Sequence, residues 1–137
     1  MQKQFHTSVQ NFIVNGYGVA VVRNMAPKGK NKGYLDNIRE FLKKIDLADI
    51  GKADPSQYPH VLDDLTEKLR RHMPRYAPYW GTARKCLNLF FRDALYNFYL
   101  RQEYGLKKFE KYMEIPLDSN VGKKLREEDR VCHAGTR

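Results

Sequence analysis

The chain has 137 residues, with 25 Lys and Arg against 16 Asp and Glu, a net charge of +9. That length fits one domain, and 42% hydrophobic residues with 12% aromatics suffice for a core, which excludes global disorder. No run approaches roughly 18 consecutive apolar residues, so no membrane-spanning helix is predicted. The most apolar stretch, Phe12 to Val22, is interrupted by Asn15 and two glycines and lacks the basic start and cleavage site of a signal peptide. Cys86 and Cys132 are too few for a disulfide framework or a four-cysteine iron–sulfur cluster. The sequence reads as soluble, intracellular and reduced.

The positive charge is clustered. Residues 1–35 hold no acid but carry Lys3, Arg23, Lys28, Lys30 and Lys32. Residues 68–92 hold none but carry Lys68, Arg70, Arg71, Arg75, Arg84, Lys85 and Arg92. Two acid-free basic zones predict a positive face, and the commonest soluble polyanion for such a face is nucleic acid. A chain that is basic only for solubility is the plainer alternative.

In chain order, residues 1–33 form a basic N-terminal segment. Thr7 and Ser8 are placed to cap a helix reaching about Asn24, although Val19 to Val22 suits a strand equally well. Met25 to Gly33, with alternating lysines and two glycines, reads as a flexible loop. Tyr34, Ile38, Phe41, Leu42 and Ile45 then make one apolar stripe at helical spacing. Asp46 to Pro59, with Gly51, Pro55 and Pro59, reads as a loop. A second amphipathic helix carries Leu62, Leu65 and Leu69, until Pro74 and Pro78 break the chain.

Trp80 to Glu103 is the most apolar segment. Ala83, Leu87, Phe90, Ala94 and Phe98 form one stripe, with Leu89, Tyr96 and Leu100 on other faces, so this helix belongs at the centre of a bundle. Gly105 stops it and Leu106 to Met113 makes a short further helix. Ile115 to Asp118 is extended ahead of and through Pro116, Ser119 caps a helix over 120–128, and 129–137 is a loose tail. The expectation is a single all-α domain over 1–137, a compact helical bundle with its core in 34–128.

Chemistry-bearing motifs are few. His6, His60, His72 and His133 are never spaced three or four residues apart, so no zinc set is predicted. Gly16-Tyr17-Gly18 lacks the remainder of a dinucleotide loop, no phosphate-binding Lys-Ser/Thr motif occurs, and no serine sits in a hydrolase elbow. Neither metal nor cofactor is expected.

Two segments remain. Tyr79-Trp80-Gly81-Thr82-Ala83-Arg84-Lys85-Cys86-Leu87-Asn88 is a glycine turn opening a helix with two cations in its first turns. Glu114-Ile115-Pro116-Leu117-Asp118-Ser119-Asn120-Val121-Gly122-Lys123-Lys124 is a proline-stiffened strand that delivers an aspartate to a helix N-terminus. The pair resembles the helix-hairpin-helix DNA glycosylase superfamily over about residues 60–128. Gly81, Arg84, Lys85 and Asn88 match that family's hairpin, and Pro116 to Val121 matches its V-P-V-D-T-H-V segment, with Ser119 for the threonine. Ala83 replaces the second hairpin glycine, and Tyr79-Trp80 replaces the Leu-Pro entry. The family carries further C-terminal helices, so a minimal or truncated version of its fold is expected.

The resemblance implies that Lys85 stands at the Schiff-base nucleophile of bifunctional members and Asp118 at the aspartate required throughout the family. Breaking an N-glycosidic bond develops positive charge on the sugar, which a carboxylate stabilises. A lysine attacks only when uncharged. The target base must leave the stack, so an aromatic pocket is expected, with Tyr79, Trp80 and Tyr96 as candidates and Tyr76 and Tyr99 nearby. Gly81, Arg84, Lys123 and Lys124 would contact the phosphates of duplex DNA. The function expected is a DNA N-glycosylase, with a lyase step, acting on a damaged or modified base. The alternative is a non-catalytic basic helical module that binds nucleic acid. A helical protein–protein adaptor would explain the aromatic richness but not the acid-free zones.

Overall fold

Helical spacing of apolar residues carries through to the architecture. The computed structural model describes residues 1–17, 31–75 and 79–114, together with Lys124, Arg126 and Glu127. Among these residues every regular element is a helix and no strand occurs. The order is α1 (Gln2–Tyr17), α2 (Asn31–Lys43), α3 (Leu47–Lys52), a 3-10 turn (Pro55–Gln57), α4 (Tyr58–His72), α5 (Trp80–Tyr96), α6 (Phe98–Glu103) and a 3-10 helix (Leu106–Tyr112).

Helix α5 is central, because its side chains are apolar on most of its circumference. It buries nine residues, from Ala83 to Leu95, and α1, α2, α4 and α6 pack around it. Tyr34, Ile38 and Leu42 of α2 and Leu62 and Leu69 of α4 complete one continuous core with Val14, Phe90, Phe91 and Phe109. The ring of Tyr58 meets Phe91 at 5.8 Å and Phe109 at 5.5 Å, joining the 3-10 helix to the bundle. Gln10 is buried on α1, and its Nε2 donates to the carbonyls of Leu42 and Ile45, tying α1 to the end of α2 and the turn after it. No described helix is long and apolar enough to cross a membrane.

The structure revises several expectations. Thr7 and Ser8 do not cap α1; they lie inside it, and their hydroxyls donate back to the carbonyls of Lys3 and Gln4 at 3.0 Å. Asn31 to Gly33 are helical rather than loop, while the rest of the span from 18 to 30 lies outside the described residues. The expected loop 46–59 contains α3 and the 3-10 turn. Asp46 caps α3 by accepting from the Ala48 and Asp49 amides, and Asp54 accepts from Ser56 N. Pro55 and Pro59 sit in first turns, where a missing N–H leaves no bond unmade. Gly51 is inside α3, where the Tyr104 carbonyl occupies the space that a Cβ would need.

The helix expected over 80–103 breaks at Asn97. Its backbone is extended (φ −78°, ψ 118°) and its side chain accepts from Leu100 N at 3.1 Å, capping α6. The break resets the helical phase. Leu100 becomes fully buried, and Phe98, expected on the core stripe, is 70% exposed. Gly105 ends α6 as expected, in the left-handed region (φ 60°) that favours glycine. The Pro116 strand, the Ser119 cap and the tail lie outside the described residues, apart from three helical positions at 124, 126 and 127.

Candidate nucleic-acid interface

Cations contribute to phosphate binding only if they are not already paired within the protein. The basic zone 68–92 is largely paired. Lys68 meets Asp64 at 2.6 Å, Arg70 and Arg71 share Glu67, Arg92 meets Asp93, and Arg84 takes both Asp63 and Glu114. The window is acid-free in sequence, yet α4, the residue that follows the window and Glu114 supply the carboxylates. Only Arg75 and Lys85 of its seven cations make no ion pair among the described residues.

Arg84, expected at phosphate, is bonded within the protein. Its side chain is 11% exposed; Nε and Nη2 donate to Glu114 at 2.8 and 2.5 Å, and Nη1 donates to Asp63 at 2.7 Å and Thr66 at 3.1 Å. The Trp80 ring stacks against it at 5.2 Å. Asn88 donates to the same Glu114 carboxylate at 2.9 Å. These bonds hold the Glu114 carboxyl below its ordinary range, the Arg84 bonds contributing most. The hairpin-like segment is therefore an internal tie between α4, α5 and Glu114.

Gly81 is the second residue of α5, not a turn before it, and a Cβ there would meet open space. Lys85 is half-buried on the same helix. Tyr79 and Trp80 are 57% and 48% exposed at its N-terminal end. Tyr96 closes the helix, about 24 Å further along at the usual rise per residue. Tyr96 therefore does not share a pocket with Tyr79 and Trp80. The neighbouring Cys86 is buried, which pushes its thiol up to about 12 and leaves it unreactive. Lys124 is exposed, whereas Asp118 and Lys123 lie outside the described residues, and so does any approach of Asp118 to Lys85.

A different cluster of cations is unpaired. Arg101 on α6 and Lys107, Lys108 and Lys111 on the 3-10 helix make no ion pair within 4.0 Å among the described residues. The left-handed turn at Gly105 folds the 3-10 helix back, so that Lys107 shares a concavity with Phe98, Arg101 and Gln102. Lys107 also joins Lys108, Lys111 and Tyr112 around a second, open concavity of about 760 Å³, which Pro55 lines as well. Lys108 and Lys111 lie over the rings of Phe109 and Tyr112 at 5.0 and 5.5 Å. Glu110 and Asp54 also border the second concavity. Asp54's carboxyl is held low chiefly by Ser56, with Lys108 adding to it. Sequence reasoning passed over these lysines because Glu103, Glu110 and Glu114 interrupt and flank them; the Lys-Lys-x-x-Lys spacing was the available signal.

No family model matches the chain, and the searches of curated proteins and of solved structures return no significant match.

Proposed function

We propose that the protein is a helical nucleic-acid-binding module, and that the face formed by α6 and the 3-10 helix carries the contact. One observation supports this reading above others. In a chain of net charge +9, four cations that make no ion pair among the described residues, Arg101, Lys107, Lys108 and Lys111, lie together around two adjoining concavities. A paired guanidinium must give up a carboxylate to bind phosphate; an unpaired one displaces only counterions. Four phosphate contacts imply a salt slope near −3.6 on duplex, so affinity should fall about 100-fold between ~50 and ~200 mM salt. Fluorescence anisotropy checks this. The triple variant Lys107→Glu, Lys108→Glu, Lys111→Glu should weaken binding to all sequences alike and flatten the slope. Binding that ignores salt, or a slope unchanged in that variant, sinks the reading.

The glycosylase reading keeps one favourable observation. Lys85 is half-buried, makes no ion pair among the described residues, and follows the exposed Tyr79 and Trp80 on the same helix. If it attacks C1′ of a sugar whose base departs, the resulting Schiff base is reduced by borohydride to a stable protein–DNA adduct. With lesion-containing duplexes, Lys85→Ala should abolish the adduct while leaving affinity nearly intact, and Asp118→Asn should suppress base release by roughly three orders of magnitude. No adduct and no base release across a panel of lesions would leave the binding module alone.

A further inference from the structure

The break at Asn97 does more than end α5. It turns Tyr96, Phe98 and Tyr99 outward, 70%, 70% and 53% exposed, whereas most other large apolar side chains among the described residues are buried or partly buried. Phe5 of α1, itself 47% exposed, meets Tyr99 edge to face at 5.2 Å and 88°. Phe98 meets Tyr99 in the same manner at 5.7 Å and 81°. Three rings from two helices thus form a fixed array at the surface, rather than one aromatic residue left in water by accident. Contiguous exposed aromatic surface marks a contact site.

The charge around the array indicates what it contacts. Phe98 lines a concavity of about 360 Å³ with Arg101, Gln102 and Lys107, two cations without ion pairs among the described residues. Helix α1 contains no acid. Glu103 is the one carboxylate in α6, and its Oε1 lies 3.8 Å from Nδ1 of the buried His6, on the inner side of the array. Rings beside unpaired cations are the combination that holds single-stranded nucleic acid: bases stack on the aromatics while cations follow the backbone. In a duplex the base faces are already covered by their neighbours, so the rings have nothing to stack on.

We infer that Phe5, Phe98 and Tyr99, with Arg101 and Lys107, form a base-stacking platform for single-stranded nucleic acid. The inference rests on the nucleic-acid reading above and makes it narrower, assigning unpaired bases as the preferred ligand. Its test uses the full chain with three labelled probes: a roughly 20-nucleotide oligothymidylate, a strand of equal length made only of abasic sugar-phosphate, and a blunt duplex. The oligothymidylate should bind at least about tenfold more tightly than the abasic strand. Phe98→Ala and Tyr99→Ala should each remove most of that advantage while leaving the abasic affinity unchanged, and Tyr99→Phe should retain it. Both truncated side chains are exposed, so these variants are expected to fold. Equal affinity for oligothymidylate and abasic strand, with a normal salt slope, overturns the platform and leaves the nucleic-acid reading intact. Failure to bind any of the three overturns both. Sedimentation of the protein alone as a dimer that Phe98→Ala dissociates assigns the rings to a second copy of the chain and overturns the platform.

Discussion

Replacing Gly51 with alanine should destabilise the fold by about 3 kcal/mol, lowering the melting temperature by roughly 10 °C. Gly51 lies inside α3, and its missing side chain is the space that the Tyr104 carbonyl occupies. A methyl group there overlaps a backbone oxygen, which cannot swing aside as the tip of a lysine could. Either α3 retreats from the core, uncovering Leu47 and Ile50, or the Tyr104–Gly105 turn shifts. That turn is held by the Tyr104 N–H bond to the Leu100 carbonyl and by the left-handed Gly105. The same turn sets Lys107 beside Arg101, so the variant should also bind nucleic acid less tightly at temperatures where it remains folded. Gly81→Ala is the control. A Cβ meets open space there, and alanine in place of glycine within a helix gains about 0.5 kcal/mol. If the mutated glycines shift urea midpoints by the same amount, the close approach at Gly51 is not what fixes α3 to the turn.

The parts of the fold legible in the sequence were those whose reasons are local. The stripe at Tyr34, Ile38, Phe41, Leu42 and Ile45 and the leucines of α4 needed only a period of 3.6 residues, and all but Phe41 and Leu65 of these are buried. Gly105 needed only its tolerance of positive φ. Asn97 was missed because an asparagine between two aromatics does not disturb an apolar count; its effect comes from a side chain that caps the following helix instead of continuing the previous one. In the candidate site the error was of the same kind but longer in range. Charge density was read along the chain, where residues 68–92 hold only cations, whereas Glu114 neutralises Arg84 from 30 residues away and Asp63 from 21. Lys107, Lys108 and Lys111, without ion pairs among the described residues, sit in a stretch that glutamates interrupt. Pairing is a property of the folded surface, and a linear count cannot supply it.

Arg84→Ala should cost about 2 kcal/mol near neutral pH, and the loss should shrink in acid. Removing one partner of a fully buried ion pair costs roughly 3–5 kcal/mol, and this network falls below that because Glu114 and Asp63 are 43% and 61% exposed. The sign of the pH dependence follows from Glu114. Its carboxyl is held below its ordinary value of 4.5 in the folded protein, first by the Arg84 hydrogen bonds and then by Asn88, against the opposing effect of burial. A group with a depressed folded pKa contributes stability above its unfolded pKa and loses it as pH falls through the lowered folded value. The gap between wild type and Arg84→Ala should therefore be constant above about pH 5 and narrow below pH 4.5. Glu67, pushed down to about 2 by Arg70 and Arg71, titrates in both proteins alike and cancels from the difference. Thermal melts from about pH 7 to pH 2.5 read this directly, and Glu114→Gln should reproduce the flatter acid limb. A gap that stays constant down to pH 2.5 would mean that Glu114 gains nothing from Arg84. The variant also separates two roles for the guanidinium. Since four donor contacts already commit it to Glu114, Asp63 and Thr66, nucleic-acid affinity should change less than about twofold. A tenfold loss with the salt slope reduced by about one would return Arg84 to the phosphate contact that the glycosylase resemblance implies.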